Sequence, residues 1–171
     1  HIHFLGGSLG LTEVDLLGTT SAAEVAQRVN QFIEKNPGKE WITGRGWQYT
    51  SFENGLPDSK ALSAITNEVA VFVKAYDGHS GWANKKALQL AGVDGNTKYA
   101  GFGEIVKDKK GELTGTFRES AMGLVSKHIP EPTRAEKLDA MKKGMTLAAS
   151  LGITSVQKAN GTAEEIKKKK K

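Results

Sequence analysis

The sequence predicts a mixed α+β fold, a small mixed-sheet insertion domain flanked at both ends by pieces of an α/β barrel. Three observations carry this expectation. The middle, Trp41 to Phe117, mixes short strands with a short helix and is dense in glycine and turn residues. After Thr133, a long helical pattern, a glycine and a short apolar run succeed one another, which is the rhythm of helix and buried strand in a barrel or layered sheet. Pro130 and Pro132 mark the joint between the two regimes. The expected divisions are residues 1–20, 21–130 for the insertion, 131–166 for a helix plus a barrel-type strand, and 167–171 for a lysine tail.

Taken in order, His1 to Gly10 is apolar and glycine-rich and reads as the end of a buried strand running into a loop. Thr12 to Leu17 alternates as a short strand. Ser21 to Glu24 has capping-box spacing, and Val25, Val29, Phe32 and Ile33 recur at helical intervals behind it, so a helix runs to the stop at Asn36-Pro37-Gly38. Trp41 to Trp47 reads as a strand interrupted by glycines, Phe52 to Ser59 as a loop, and Ala61 to Ile65 as one or two helical turns. Val69 to Tyr76 is rich in β-branched and aromatic residues and apolar on both faces at its start, which predicts a central strand. Asn84 to Ala91 is a short helix with Asn84 as N-cap and Gly92 as its stop. Gly103 to Asp108 and Glu112 to Phe117 flank Lys109-Lys110-Gly111 as a hairpin. Glu119 to Val125 reads as helical. Thr133 to Glu136 is a second capping box, succeeded by an apolar stripe of Leu138, Met141, Met145 and Ala148 and, after Gly152, a short strand at Ile153 to Gln157.

A length of 171 residues with 38% hydrophobic and 25% charged residues is ordinary globular composition, long enough to bury a core. The net charge of +5 belongs to the tail, because Lys167 to Lys171 supply the excess and leave 19 basic residues to match 19 acidic ones. Without interleaved aromatics the tail reads as a solvated run, and no specific nucleic-acid partner is expected. The absence of cysteine excludes a disulfide framework, a thiolate metal site and a thiol nucleophile. No apolar run approaches the ~20 residues needed to cross a bilayer, so no membrane partner is expected. The first residue is His1 rather than Met, which points to a removed upstream segment. A cytoplasmic location is slightly favoured, and a homo-oligomer stays open.

Two places could carry chemistry. On an extended strand His1 and His3 point to one face, so both imidazoles can reach one metal ion while Ile2 packs behind them; neutral imidazole suits zinc, iron, nickel or copper. The bland alternative is chance histidines near a terminus. Asp77-Gly78-His79-Ser80 comes directly after the strongest strand, where loop residues concentrate function. A nucleophilic triad is not supported there, since the elbow pattern around a serine is absent. The choice is between a substrate-lining loop and a hydrogen-bonded turn. Arg45 and Trp47 could present a cation and an aromatic wall, or merely form a bulged strand. Trp82 reads chiefly as packing, Glu119 as a helix N-terminal carboxylate, and His128 as a loop residue.

Six segments then combine: His1 to Phe4, Gly44 to Trp47, Asp77 to Asn84, Gly103 to Val106, Gly115 to Glu119, and Gly152 to Gln157. In this order they resemble the metal-dependent amidohydrolases, in the subgroup that includes N-substituted formamide deformylase. The resemblance implies a distorted eight-stranded barrel, here incomplete, with an insertion after its first strand, and residues 1–20 become the remnant just past that strand. It implies hydrolysis of non-peptide C–N bonds in a small amide-type substrate by a water that a divalent metal, zinc by preference, activates. His1 and His3 become metal ligands; Asp77, His79, Trp82, Arg45 and Trp47 become substrate-contact candidates. The resemblance assigns no residue here as catalytic. Lys158 stands where relatives often carry an acid, and the family's remaining ligands lie on later strands, so the isolated chain is expected to be inactive and to hold metal weakly or not at all. The rival reading is a self-contained α+β binding module without catalytic activity, in which the Asp77 to Asn84 loop is a recognition surface.

Overall fold

The computed structural model describes residues 2–58, 61, 64, 65 and 67–157. Its helices are α1 (Phe4–Gly10), α2 (Ala22–Lys35), α3 (Lys85–Ala91), α4 (Gly123–Ser126) and α5 (Arg134–Ser150). Its strands are β1 (Val14–Asp15), β2 (Trp41–Trp47), β3 (Ala70–Ala75), β4 (Ser80–Ala83), β5 (Gly103–Lys107) and β6 (Leu113–Glu119). The chain divides into two units, Glu13–Glu131 and His1–Thr12 with Pro132–Lys171.

In the larger unit the strands form a mixed sheet in the order β1-β2-β3-β4-β6-β5. β1, β2 and β3 pair in parallel, and the β3–β4, β4–β6 and β6–β5 pairs are antiparallel. β6 therefore runs with β3, and the C-terminal ends of β1, β2, β3 and β6 share one end of the sheet with the starts of β4 and β5.

β3 is central because it can be buried on both faces. Val71, Val73 and Ala75 join a core with Val25, Val29, Ile42, Trp47 and Trp82, while Ala70 and Phe72 join another with Ala83, Ala87, Phe117 and Val125. The two-residue period of a strand thus divides one sequence between two cores, covered by α2 on the first face and by α3 and α4 on the second. Each buried valine contributes on the order of 1.5–3 kcal/mol. α2 opens on Ser21, whose side chain accepts from the Glu24 N–H, and Glu24 reaches back to the Thr20 N–H at 2.9 Å.

Asn84 ties β3 to α3. Its fully buried side chain accepts from the N–H groups of Val71 and Ala87, both at 2.9 Å, and donates to the Val69 carbonyl at 2.8 Å. The cap predicted for α3 therefore also completes the ladder of the central strand.

In the smaller unit α1 packs against α5, which carries a complete capping box at Thr133 and Glu136. Ala140 and Gly144 are the buried residues of α5, and a side chain on Gly144 would collide with Ser8 of α1. Four expectations need correction. Phe4–Gly10 is a helix rather than a glycine loop, because close approach to α5 outweighs the poor helix propensity of its glycines. The α5 stripe is shallower than its pattern suggests, with Met145 52% exposed, because the contact runs over small residues. Ile153 to Gln157 is exposed and forms no strand; Ile2 N–H donates to the Gln157 carbonyl at 3.0 Å. The helical reading of Glu119 to Val125 holds only from Ser120: Glu119 ends β6 and is the N-cap residue of a 3₁₀ turn at Ser120–Met122, which leads into α4. Leu62 and Ser63 of the turns expected at Ala61 to Ile65, and the lysine tail, lie outside the described residues. No helix among the described residues is long and apolar enough to cross a membrane.

Candidate functional site

The polar side chains of the larger unit gather where β2, β3 and β6 end and β4 begins. β2 slips its register against β3 between Arg45 and Trp47, with Gly46 at φ 114°. The slip leaves Arg45 exposed, its guanidinium donating to the Tyr76 carbonyl at 3.2 Å, and turns Trp47 into the core. From β3 the chain turns through Gly78, at φ 80°, into β4. Asp77 organises the turn: its carboxylate accepts from the His79 N–H at 3.0 Å and from the Tyr49 hydroxyl at 3.1 Å. The same hydroxyl lies 3.0 Å from Ser80 Oγ. Burial raises the Tyr49 phenol above its ordinary value, and the hydrogen bond and charge of Asp77 add to this.

His79 meets Glu119 across the sheet. Pairing of Ser80 with Arg118 brings the two together, and the Glu119 N–H donates to the His79 carbonyl at 2.9 Å. The side chains pair as well, Nδ1 of the imidazole lying 3.0 and 3.2 Å from the two carboxylate oxygens of Glu119. The ring stays 65% exposed and the carboxylate side chain 35%. The Glu119 hydrogen bond and charge, then the charge of Asp77, raise the His79 pKa above its ordinary value. Beyond Glu119, Arg118 makes a long pair with Glu104 of β5 at 3.5 Å.

Glu119 is the single non-glycine residue with positive φ among the described residues, at φ 51° and ψ −135°. That is close to the first central position of a type II′ turn, a slot dominated by glycine. A side chain there costs on the order of 1–3 kcal/mol, which the surrounding structure must offset.

The candidates named from sequence thus separate. Arg45, Asp77 and His79 come together at the exposed end of the sheet. Trp47 and Trp82 are fully buried beneath it. Trp47 donates its indole N–H to the Val73 carbonyl at 3.1 Å, and both indoles stack edge to face on Phe52, at 5.5 and 5.6 Å. Tyr49 and Glu119 complete the group and escape sequence reasoning. Tyr49 carries no motif, and Glu119 is 40 residues from His79, so only the strand pairing reveals it.

His1 lies outside the described residues. His3 is exposed in the smaller unit, where it precedes α1. Among the described residues no group of three or more histidine, aspartate or glutamate side chains is placed to hold a metal ion. The donor set for a resident divalent metal is therefore not assembled by them. What they do assemble is an imidazole oriented by a carboxylate through Nδ1, with Nε2 making no hydrogen bond among the described residues.

A family model described as the amidohydrolase family matches residues 1–168. Protein LONG AFTER FAR-RED 3 of Arabidopsis thaliana is 30% identical over 156 residues, covering 91% of this chain and 27% of that protein. Putative amidohydrolase YtcJ of Bacillus subtilis is 31% identical over 157 residues, covering 85% and 29%. The N-substituted formamide deformylase of Arthrobacter pascens is more distant, 25% identical over 146 residues, covering 82% and 27%. Among solved structures, an uncharacterized metal-dependent hydrolase from Pyrococcus horikoshii is similar with a TM-score of 0.63 and 26% identity, over 91% of this chain and 29% of that one. The chain spans less than a third of the length of each of these proteins.

Proposed function

The chain belongs to the amidohydrolase family, and from that premise we propose that the whole protein hydrolyses a C–N bond in a small amide-type molecule, with this chain supplying the substrate-facing rim. The observation that carries the proposal is the gathering of Arg45, Asp77 and His79, with Glu119, at one exposed end of the sheet. Loops at the carboxyl ends of strands are where open sheets bind ligands. The mixed fold and its likeness to metal-dependent hydrolases support this reading.

A divalent metal, zinc by preference, supplies an activated water in this chemistry. His1 and His3 are proposed as two of its ligands in the whole protein, with the remaining donors outside the described residues. The residues described here act on the substrate instead. Arg45 offers a cation and His79 a ring nitrogen, while Asp77 and Tyr49 hold the turn that carries His79. Trp47 and Trp82 form the packed floor. An N-formyl or N-acyl amide is the proposed substrate class, supported by the likeness to N-substituted formamide deformylase.

A full-length protein carrying this chain, loaded with zinc, is expected to release carboxylate and amine from N-alkylformamides or N-acylamines and to lose activity on chelation. The 171-residue chain alone is expected to release neither. Failure of the full-length protein on both substrate series would remove the hydrolase reading and leave the rim as a binding surface.

A further inference from the structure

Two unusual features coincide at Glu119. Its backbone occupies a conformation suited to glycine, and its carboxylate holds the ring of a histidine on the neighbouring strand. Its ladder partner Gly103, at φ 135°, has no room for a side chain, which would collide with the Arg118 carbonyl. Both sides of the β5–β6 ladder are thus shaped to let the chain turn at this point. Glycine at 119 would accept that turn without steric cost. A glutamate there is explained if its side chain does something glycine cannot, and the contact it makes is with His79 Nδ1.

The consequence lies at the other ring nitrogen. With Nδ1 bonded to the carboxylate, the imidazole is fixed in orientation; the neutral ring keeps its proton on Nδ1 and leaves Nε2 an acceptor, and the protonated ring makes Nε2 a donor. Both hydrogen bonds to the ring go to Nδ1, and Nε2 makes none among the described residues. We propose that Glu119 is a positioning residue for His79, fixing the imidazole so that Nε2 of the protonated ring donates a hydrogen bond to an acceptor oxygen of the ligand bound at this end of the sheet. If the proposed function holds, that oxygen belongs to the substrate amide; this identification rests on that reading, whereas the positioning role does not.

The groups facing the ring agree with a donor at Nε2. Glu119 of β6 and Asp77 of the β3–β4 turn both favour the protonated imidazole. Nearby, Tyr49 is bonded to Asp77, Arg45 is bonded to the Tyr76 carbonyl, and Arg118 is engaged with Glu104.

Nuclear magnetic resonance of the 171-residue chain tests the proposal. Long-range proton–nitrogen spectra of His79 are expected to show Nδ1 protonated throughout, and below the titration midpoint of the ring N-methylformamide, used as an acceptor probe, is expected to shift Nε2. Glu119→Gln and Glu119→Gly should each lower the titration midpoint of His79, mix its tautomers and weaken the response to the probe. An unchanged midpoint and tautomer in both variants, in a folded chain, would overturn the positioning role. A wild-type Nε2 that ignores the probe would overturn the donor role. In the full-length enzyme, Glu119→Gln and His79→Ala should each raise KM for N-methylformamide about tenfold, with the double variant no worse than either. Additive losses would mean that the two act separately. Absence of any hydrolysis would count against the proposed function alone, because the resonance experiment decides the positioning role without it.

Discussion

Asn84→Ala should be among the most damaging single substitutions in the larger unit, although Asn84 touches no candidate ligand-binding group. The bonds lost include those to Val71 N–H, Ala87 N–H and the Val69 carbonyl. Loss of a helix N-cap costs about 1 kcal/mol. The Val71 amide is then stranded in the core beside the central strand, and an unsatisfied buried donor costs a further 1–3 kcal/mol, roughly. The Val69 carbonyl is only partly buried and can recover a bond from water, so it adds little. The total is about 2–4 kcal/mol, a large share of the ~5–15 kcal/mol by which a folded domain is stable. Urea denaturation of the 171-residue chain, monitored by tryptophan fluorescence, measures the loss, and hydrogen exchange at the Val71 amide shows whether that donor has been exposed. A loss below about 1 kcal/mol with Val71 still protected would refute the reasoning, since the amide would then have found another acceptor.

Glu119 provides a comparison in which one variant separates backbone from side chain: Glu119→Gly and Glu119→Ala both lose the carboxylate, but only glycine relieves the positive φ, so the glycine variant should be the more stable by roughly 1–3 kcal/mol in chemical denaturation. The His79–Glu119 pair sets a pH dependence whose sign is given by the raised imidazole pKa. Its contribution to stability is full below the ordinary histidine value of about 6.5 and is lost as pH rises through the higher folded value, so Glu119→Gln should flatten the stability profile across that window. In the smaller unit Gly144→Ala should loosen α1 from α5 by about 1–3 kcal/mol, because the new methyl meets Ser8; faster amide exchange along Phe4–Gly10 would register it.

Much of the fold is legible in the sequence because local chemistry and tertiary packing agree over most of the chain. Ser21 and Thr133 cap their helices as the spacing requires, Gly92 stops α3 in the left-handed conformation, and Gly111 turns the hairpin at φ 82°. The misreadings fall where packing overrules propensity. Phe4–Gly10 contains three glycines besides its single serine, yet it is helical, and the close seat of Ser8 against Gly144 is a contact across more than a hundred residues of sequence that no local pattern encodes. Ile153 to Gln157 has the composition of a buried strand, but these residues are exposed and form no strand, and the amide of Ile2 meets this segment at its last described residue, the Gln157 carbonyl.

The candidate site is legible by half, and the missing half explains what the legible half does. Asp77 and His79 stand out because they come directly after the strongest strand. Their sequence spacing suggests interaction with each other, yet Asp77 hydrogen-bonds the backbone of His79 and the hydroxyl of Tyr49 and reaches the imidazole through its charge alone. The ring belongs to Glu119, which reads in sequence as a helix-start carboxylate. What distinguishes Glu119 is a conformational cost visible only in the folded chain, at a position where glycine would serve the turn better. A cost of that kind persists only where the neighbouring structure fixes the residue, and here the fixing contacts are the His79 carbonyl on the backbone and the His79 imidazole on the side chain. The backbone bond would survive replacement by glycine; the imidazole contact would not. The side chain of residue 119 is therefore accounted for by His79, and the other nitrogen of that ring is the atom through which we propose that this unit meets its ligand.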